Sequence, residues 1–332
     1  MSETSRDDFW DITRAILMWL VILGHTIQAV TQGSFFSHPL FKAIYLFHIP
    51  VFFFISGYFA LGSIRKRGWK GLGRTALRLM LPVLSMGTLQ LILLVCRQPV
   101  SPGKTLHCYV CLWFLWSLLE CQIAGHLLMS LPHRAWRAIA LVLPVITCIL
   151  LRDYIPFADY ISISWPFYAL GMYARHKGFT HAQLSPRWFW TLIPAAAAFF
   201  LYRDDWYIYL APLSFSAESF TIAIFRILAA LASGAFFLAL MHHHTALKCL
   251  AGFGRASLGI YVVQAVLCTV ANRLNYPPVC SQVWVMLPLS LLVFLLSYSI
   301  YKLTRKLPYA GLLLYGDLTR HQGSEETVRM PQ

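Results

Sequence analysis

Three ionisable residues on one apolar stretch could carry chemistry. The stretch WDITRAILMWLVILGHTIQ contains Asp11, Arg14 and His25. At about 100° per residue, a helix would place Arg14 and His25 within about 20° of one azimuth, and Asp11 within about 60° of both. A histidine on that face could act as a general base, and Asp11 could hold Arg14 by a charge-assisted hydrogen bond. The alternative for Asp11 and Arg14 is an ion pair that merely positions the helix end.

A second histidine is predicted at the depth of the first. His48 lies five residues inside the next apolar stretch, and His25 lies six residues from the end of its own. Two histidines at one depth on adjacent helices can meet, so that one acts as a base while the other orients it or donates to a developing oxyanion. The alternative is a structural His48 with its own hydrogen-bond partners.

The composition indicates what must position these residues. Of 332 residues, 58% are hydrophobic and 12% are charged, against roughly 25% charged residues in a soluble domain. The mean hydropathy is +0.61. These values exclude a disordered chain, a coiled coil and a secreted disulfide scaffold, and they predict an all-α polytopic membrane protein. The net charge of +14 is typical of basic cytoplasmic loops, so no nucleic-acid partner is expected.

About ten stretches are apolar enough to be predicted as transmembrane helices. Three of them, at 136–151, 160–174 and 188–202, are short for a full crossing. The others cover 11–31, 43–62, 77–96, 109–130, 220–241, 254–273 and 283–303.

Basic residues predict how these helices are oriented. With a cytoplasmic N-terminus, 19 of the 27 Lys and Arg residues fall on the inner side, six fall on the outer side and two lie within spans. Because cytoplasmic loops carry an excess of Lys and Arg, both the N- and C-termini are predicted to be cytoplasmic. We expect a single membrane-embedded domain at 1–315, followed by a flexible cytoplasmic tail at 316–332.

Other reactive side chains give weaker signals. Consecutive helical residues point about 100° apart and cannot together ligate one ion, so the run His242, His243 and His244 predicts no metal site. Arg226 lies within the eighth span and is expected to face a cavity. Four cysteines fall near the predicted outer face, where packing or a disulfide would account for them: Cys96, Cys108, Cys111 and Cys280.

Four motifs together resemble the acyltransferase-3 family of integral membrane O-acyltransferases, in particular the branch related to fucose 4-O-acetylases. They are the Arg14–His25 pair with ten residues between, preceded by Asp11; FHIPVFFFISGYF at 47–59; RTALRLMLP at 74–82; and LWFLWSLLE at 112–120. Later, WPFYALGMYA and GRASLGIYVVQ at 254–264 are similar to the family's later helices. Gln264 stands where many members have His, so no catalytic role is carried to that position.

The resemblance implies transfer of an acyl group, usually acetyl from acetyl-CoA, to a sugar hydroxyl. The acceptor would belong to a surface polysaccharide, a lipopolysaccharide or a lipid-linked glycan, and the enzyme to the bacterial inner membrane. No cofactor is expected beyond acetyl-CoA as the donor substrate. His25 is predicted to accept the proton of the attacking hydroxyl, and an acetyl-His intermediate is the alternative.

Further residues are predicted to bind the two substrates. The donor phosphates would contact Arg74 and Arg78 together with Arg14, although a basic cytoplasmic loop alone explains much of this charge. Aromatic faces suit sugar rings, and a glutamate within a span needs a partner. The predicted acceptor residues are Trp113, Trp116 and Glu120, with packing as the alternative for either tryptophan.

A different class of protein also fits a polar stripe in a membrane. A transporter or flippase could use it as a permeation path, with the histidines relaying protons. Transporters often carry inverted repeats or paired broken helices, and the sequence indicates neither. An enzyme is therefore the favoured interpretation.

Overall fold

The structure, a computed structural model, is all-helical in the residues it describes. These are residues 8–31, 33, 35–96, 102–152, 154, 158–243, 247–272, 274–307 and 309–318. Within them there is no β-strand. The helices are α1 Asp8–Thr31, α2 Pro39–Tyr45, α3 His48–Val95, α4 Pro102–Val110, α5 Trp113–Ser130, α6 Arg134–Leu151, α7 Ile161–His176, α8 Leu192–Leu201, α9 Ala217–His243, α10 Ala251–Arg255, α11 Ser257–Ala271, α12 Val283–Thr304 and α13 Ala310–Tyr315.

Helix α1 lies at the centre of the bundle. It packs against α2, α3, α9, α10, α11 and α12. Asp8 and Asp11 occupy its first turn, where carboxylates complement the positive end of the helix dipole. The hydroxyls of Thr13 and Thr26 donate to backbone carbonyls four residues earlier, at 2.7 and 2.8 Å. These bonds satisfy the polar groups of a helix that is buried on most of its faces.

Helix α3 corrects the predicted boundary between two spans. The sequence predicted separate helices at 43–62 and 77–96 joined by a basic loop. The structure has two helical segments within His48–Val95 that meet at a kink at Gly68 (φ 51°, ψ −146°), so the basic segment between the predicted spans is itself helical. Leu, Ala, Lys and Arg favour the helix through the basic segment, and glycine alone adopts such a backbone angle without strain.

Several helices have the length and apolarity of membrane spans. In the described residues they are Asp8–Thr31, Pro39–Val95, Ala217–His242 and Val283–Thr304, with a fifth if the bent pair Lys248–Arg255 and Ser257–Ala271 forms one span. An all-helical chain with membrane-length apolar helices is therefore confirmed. The number ten and the cytoplasmic position of both termini stay predictions.

The predicted span at 254–273 is broken. Helices α10 and α11 meet at an angle of 68° around Ala256. Helix α10 approaches α1 so closely that a Cβ on Gly254 would clash with the carbonyl oxygen of Asp11. The break therefore carries the start of α11 to the polar end of α1.

The start of the predicted tail is attached to the helices. The Arg305 guanidinium donates to Asp317 at 2.6 Å, and Gly316 (φ 61°) contacts the backbone of Arg78 on α3. The rest of the predicted tail, 319–332, lies outside the described residues.

Candidate active site

A cavity of about 630 Å³ is enclosed by residues of α1, α3, α5, α10 and α11. The polar face predicted for α1 lines this cavity. Of the nine residues predicted for the site, Arg74, Trp116 and Glu120 are absent from its wall. The other six do line it: Asp11, Arg14, His25, His48, Arg78 and Trp113.

His25 has a defined tautomer in this cavity. Its Nδ1 lies 2.8 Å from Oε1 of Gln28, less than one turn later on α1. Because an amide oxygen can only accept, Nδ1 carries the hydrogen in this pair and Nε2 keeps its lone pair. That is the arrangement required of a general base. Gln28 was not predicted from the sequence, although its i+3 spacing from His25 was a usable signal.

His48 is the first residue of α3 and is 2% exposed. Its Nδ1 donates to the carbonyl of Ile44 at 2.8 Å. That carbonyl lies near the end of α2 and also accepts from the backbone N–H of Phe47 at 3.2 Å. Neutral His48 therefore keeps a lone pair at Nε2 as well. In this form it can accept a hydrogen bond but has no proton to donate to an oxyanion.

Asp11 is held between two arginines. Its carboxylate accepts from Arg14 at 3.0 Å and lies 3.8 Å from Arg255 of α10, which also lies 3.9 Å from Asp8. The Asp11 side chain is 3% exposed, so these cations supply the charge balance that a buried carboxylate needs. Sequence reasoning missed Arg255, because the contact depends on the packing of α10 against α1.

Positive charge gathers at one end of the cavity. Arg14, Arg78 and Arg255 line it, against Asp11 as the one acidic residue among the described residues of the wall. The Arg14 guanidinium lies 4.8 Å from the ring centroid of Phe59, a cation–π contact that fixes it further. We call Asp11, Arg14, Arg78 and Arg255 the arginine end of the cavity. Its net positive charge suits a phosphorylated ligand.

Helix α5 presents a different face to the cavity from the one predicted. Phe114, Leu118 and Gln122 line the wall and share one side of the helix. Trp116 and Glu120 are four residues apart on the other side. Trp116 donates to the carbonyl of Tyr109 at 3.0 Å. The packing therefore does not support a contact of Trp116 or Glu120 with an acceptor in this cavity. Trp113, at the start of the helix, does line the wall.

Arg226 does not line the cavity, contrary to the prediction. Its Nε donates to the carbonyl of Trp206 at 2.5 Å and its Nη2 to that of Ala211 at 2.6 Å. Both carbonyls belong to the segment 202–216 between α8 and α9. The guanidinium is a good partner for unpaired loop carbonyls because it carries five donors and no acceptor. Arg226 therefore organises a loop.

The remaining sequence signals show no reactive cluster. All eight cysteines lie in the described residues, where none is joined to another by a disulfide. Within the part of the chain that the structure describes, no three His, Cys, Asp or Glu side chains are arranged to hold a metal ion. His244 lies outside the described residues.

Comparison with known proteins identifies the family. Residues 7–302 match the acyltransferase-3 family, described as an acyltransferase domain. Nodulation protein NolL of Mesorhizobium japonicum is 31% identical over 211 residues, which cover 59% of this chain and 55% of that protein. Nodulation protein NolL of Sinorhizobium fredii is 30% identical over 182 residues, which cover 50% and 48%. The chain thus spans about half the length of these relatives. No solved structure matches the chain.

The apolar helices and the matched domain define the class of this protein. It carries an acyltransferase domain built on helices that are long and apolar enough to span a membrane. Because the match covers most of its length, the chain belongs to the acyltransferase-3 family.

Proposed function

We propose that this acyltransferase moves an acetyl group from acetyl-CoA to a sugar hydroxyl of a surface polysaccharide, a lipopolysaccharide or a lipid-linked glycan in the bacterial inner membrane. One observation carries the proposal. A histidine with a free Nε2 lone pair, His25, shares a cavity with the arginine end. The histidine suits the proton transfer of acyl exchange, and the arginines suit the phosphates of the donor.

The donor would enter at the arginine end. Arg14 and Arg78 would bind its phosphates, and Asp11 would hold Arg14 in place. Along α1, His25 lies about 16 Å beyond Arg14. An extended pantetheine arm can bridge a distance of that order, which would bring the thioester to the histidine. Arg74, which lies outside the cavity wall, would act at the entrance rather than at the bound donor.

The reaction follows from the tautomer of His25. The sugar hydroxyl attacks the thioester carbonyl, and its proton moves to Nε2 of His25. The bond between the carbonyl carbon and sulfur then breaks, and the CoA thiolate takes the proton back from the imidazolium. The products are the acetyl ester and CoA. Gln28 stabilises the charged histidine throughout by accepting from Nδ1.

His48 would position the acceptor hydroxyl. Its Nδ1 hydrogen is bonded to Ile44, so neutral His48 offers Nε2 as an acceptor. A hydroxyl held by such an acceptor is oriented toward its electrophile, which lowers the entropic cost of attack. An acetyl-His25 intermediate is the alternative mechanism, and it would appear as label on the protein when the acceptor is omitted.

The test is transfer by the purified protein in lipid nanodiscs. Labelled acetyl-CoA is offered with a panel of glycans, and His25→Ala is compared with wild type. The matched control is His133→Ala, because His133 is exposed and lies outside the cavity wall. We expect ester formation by wild type and the control, and its loss in His25→Ala. Full activity of His25→Ala would refute the mechanism.

A transporter is the second candidate, because the bent pair α10–α11 lines the cavity and broken helices also form transporter sites. Movement of glycan across proteoliposomes without turnover of any thioester would favour it. Thioester turnover that depends on an added glycan would show that transport is not the sole activity of the protein.

A further inference from the structure

The end of the cavity opposite the arginines is lined by aromatic residues that carry hydroxyl groups. Tyr45 lies edge-on to His48, with ring centroids 4.6 Å apart. It also packs against α1 beside His25, since a Cβ on Gly24 would lie 3.0 Å from Tyr45 Cε2. The Tyr45 ring therefore touches the helix of one histidine and the ring of the other.

Tyr209 reaches the same place from the segment 202–216. Its ring lies 6.4 Å from that of Tyr45 and 5.8 Å from that of Tyr160. Trp113 stacks on Tyr160 at 4.2 Å, and Tyr45, Tyr209 and Trp113 all line the cavity. We call Tyr45, Trp113 and Tyr209 the tyrosine end. Because Tyr209 lines the cavity wall, it can contact a ligand bound there.

The segment that carries Tyr209 is held in place. Leu210 and Ala211 both donate to the carbonyl of Tyr207, which forms a turn around Tyr209. Arg226 binds the carbonyl of Ala211 on one side of this turn. Lys42 donates to the carbonyl of Tyr202 at 2.8 Å. The buried charge of Arg226 is thus used to fix the turn, which gives Tyr209 a defined position.

We propose that Tyr209, positioned by Arg226, forms with Tyr45 and Trp113 the subsite that binds the sugar ring of the acceptor. The proposal rests on the function proposed above and deepens it. Apolar faces of a pyranose pack on aromatic rings, while its hydroxyls bond to phenol groups. Tyr45, Trp113 and Tyr209 are all uncharged, so the tyrosine end suits a neutral ring and not the phosphates of the donor. It also lies beside both histidines, where the reacting hydroxyl must be.

The experiment separates acceptor binding from donor binding. Wild type, Tyr209→Ala and Tyr209→Phe are compared in nanodiscs for acceptor KM, donor KM and glycan binding in the absence of donor. Tyr154→Ala is the matched control, because Tyr154 is 81% exposed and lies outside the cavity wall. We expect Tyr209→Ala to raise the acceptor KM about tenfold with a donor KM within twofold of wild type. Tyr209→Phe should retain most of the affinity that comes from the ring face.

The role of Arg226 as a positioning residue is tested by the same comparison of acceptor KM with donor KM. Arg226→Leu should raise the acceptor KM as Tyr209→Ala does, and the double variant should show no further rise, since both changes remove one arrangement. Arg226→Lys should restore part of the affinity. If Arg226→Leu fails to fold, the Tyr209 variants still decide the matter.

Each other outcome has a defined meaning. An acceptor KM unchanged in Tyr209→Ala overturns the subsite, and so does a rise confined to the donor KM, which would mean that this end holds the pantetheine arm. Wild type that binds glycans but esterifies none, with binding lost in Tyr209→Ala, supports the subsite and refutes the proposed transferase function. Wild type that neither binds nor esterifies any glycan overturns both.

Discussion

The two ends of the cavity differ in their charge and therefore in the kind of ligand that each can bind. At the arginine end, charge is concentrated and balanced by Asp11, a carboxylate that is 3% exposed between Arg14 and Arg255. At the tyrosine end the residues are neutral, and ring contacts with His48 and Tyr160 hold their positions. A single cavity can thus hold a polyanion at one end and a neutral ring at the other. The difference teaches that electrostatics should select the donor, whereas shape and hydrogen bonding should select the acceptor.

The largest expected effect is at the histidines. His25→Ala should lower kcat by about 10²–10⁴-fold, because general-base catalysis contributes that much. The donor KM should stay near that of wild type, because the arginine end is untouched. Steady-state kinetics with separately varied donor and acceptor checks this split. A large rise in donor KM would show that the two ends are not functionally separate.

Among the substitutions considered, Asp11→Asn should lower the stability of the folded protein most. It removes the charge of the anion that Arg14 and Arg255 share, while Arg255 is about half exposed and stays near Asp8. A loss of about 1.5–3 kcal/mol is expected, the range for a hydrogen bond to a charged group. The measurement is the Tm of the detergent-solubilised protein. The matched control is Asp205→Asn, because the Asp205–Arg203 pair is exposed and should contribute less than about 1 kcal/mol. Equal shifts in the two variants would contradict the proposed role of burial.

Arg78→Ala should raise the KM for acetyl-CoA about tenfold by removing a charge-assisted contact to phosphate. The acceptor KM should not change. Raising the salt concentration should shrink the difference between variant and wild type, because exposed charge pairs are screened. Arg187→Ala is the control for loss of an exposed arginine outside the wall. A change in acceptor KM instead would assign Arg78 to the other substrate.

The smallest effect is expected on the far side of α5. Trp116→Phe and Glu120→Gln should leave the acceptor KM within about twofold of wild type, because neither residue lines the cavity and substitutions away from a site are mostly small in effect. Trp113→Ala is the matched comparison and should raise the acceptor KM. A rise in Trp116→Phe that equals that in Trp113→Ala would restore the acceptor role predicted from the sequence.

Much of the site was predictable from one helix. The spacing of Asp11, Arg14 and His25 depends on the fixed rotation per residue of α1, so the shared face followed from the sequence. His48 and Trp113 line the same cavity; the first was predicted from its depth relative to His25 and the second from the motif LWFLWSLLE. Glu120 and Trp116 lie outside the wall of this cavity, because a motif identifies a helix but not the side of it that faces a cavity; their acceptor role stays a prediction. The pattern of Phe114, Leu118 and Gln122 reveals that side once the packing is known.

Long-range partners could not be predicted in this way. Arg255 reaches Asp11 across more than two hundred positions of sequence, and the break between α10 and α11 that brings it there has no clear local signature. Arg226 was expected to face a cavity, but its guanidinium donates instead to the carbonyls of Trp206 and Ala211. Tyr209 lies in a segment without regular helix, where periodicity carries no information.

By itself, the sequence determined the all-helical membrane character of this protein, its acyltransferase family and the polar face of α1. These properties depend on composition, on motifs and on a helical repeat, all of which act locally along the chain. Only the tertiary structure decided which residues close the cavity. Arg255 and Tyr209 belong to it because α10 and the segment 202–216 pack against α1 and α2. Such packing depends on the shapes of several helices at once, which no single stretch of sequence contains.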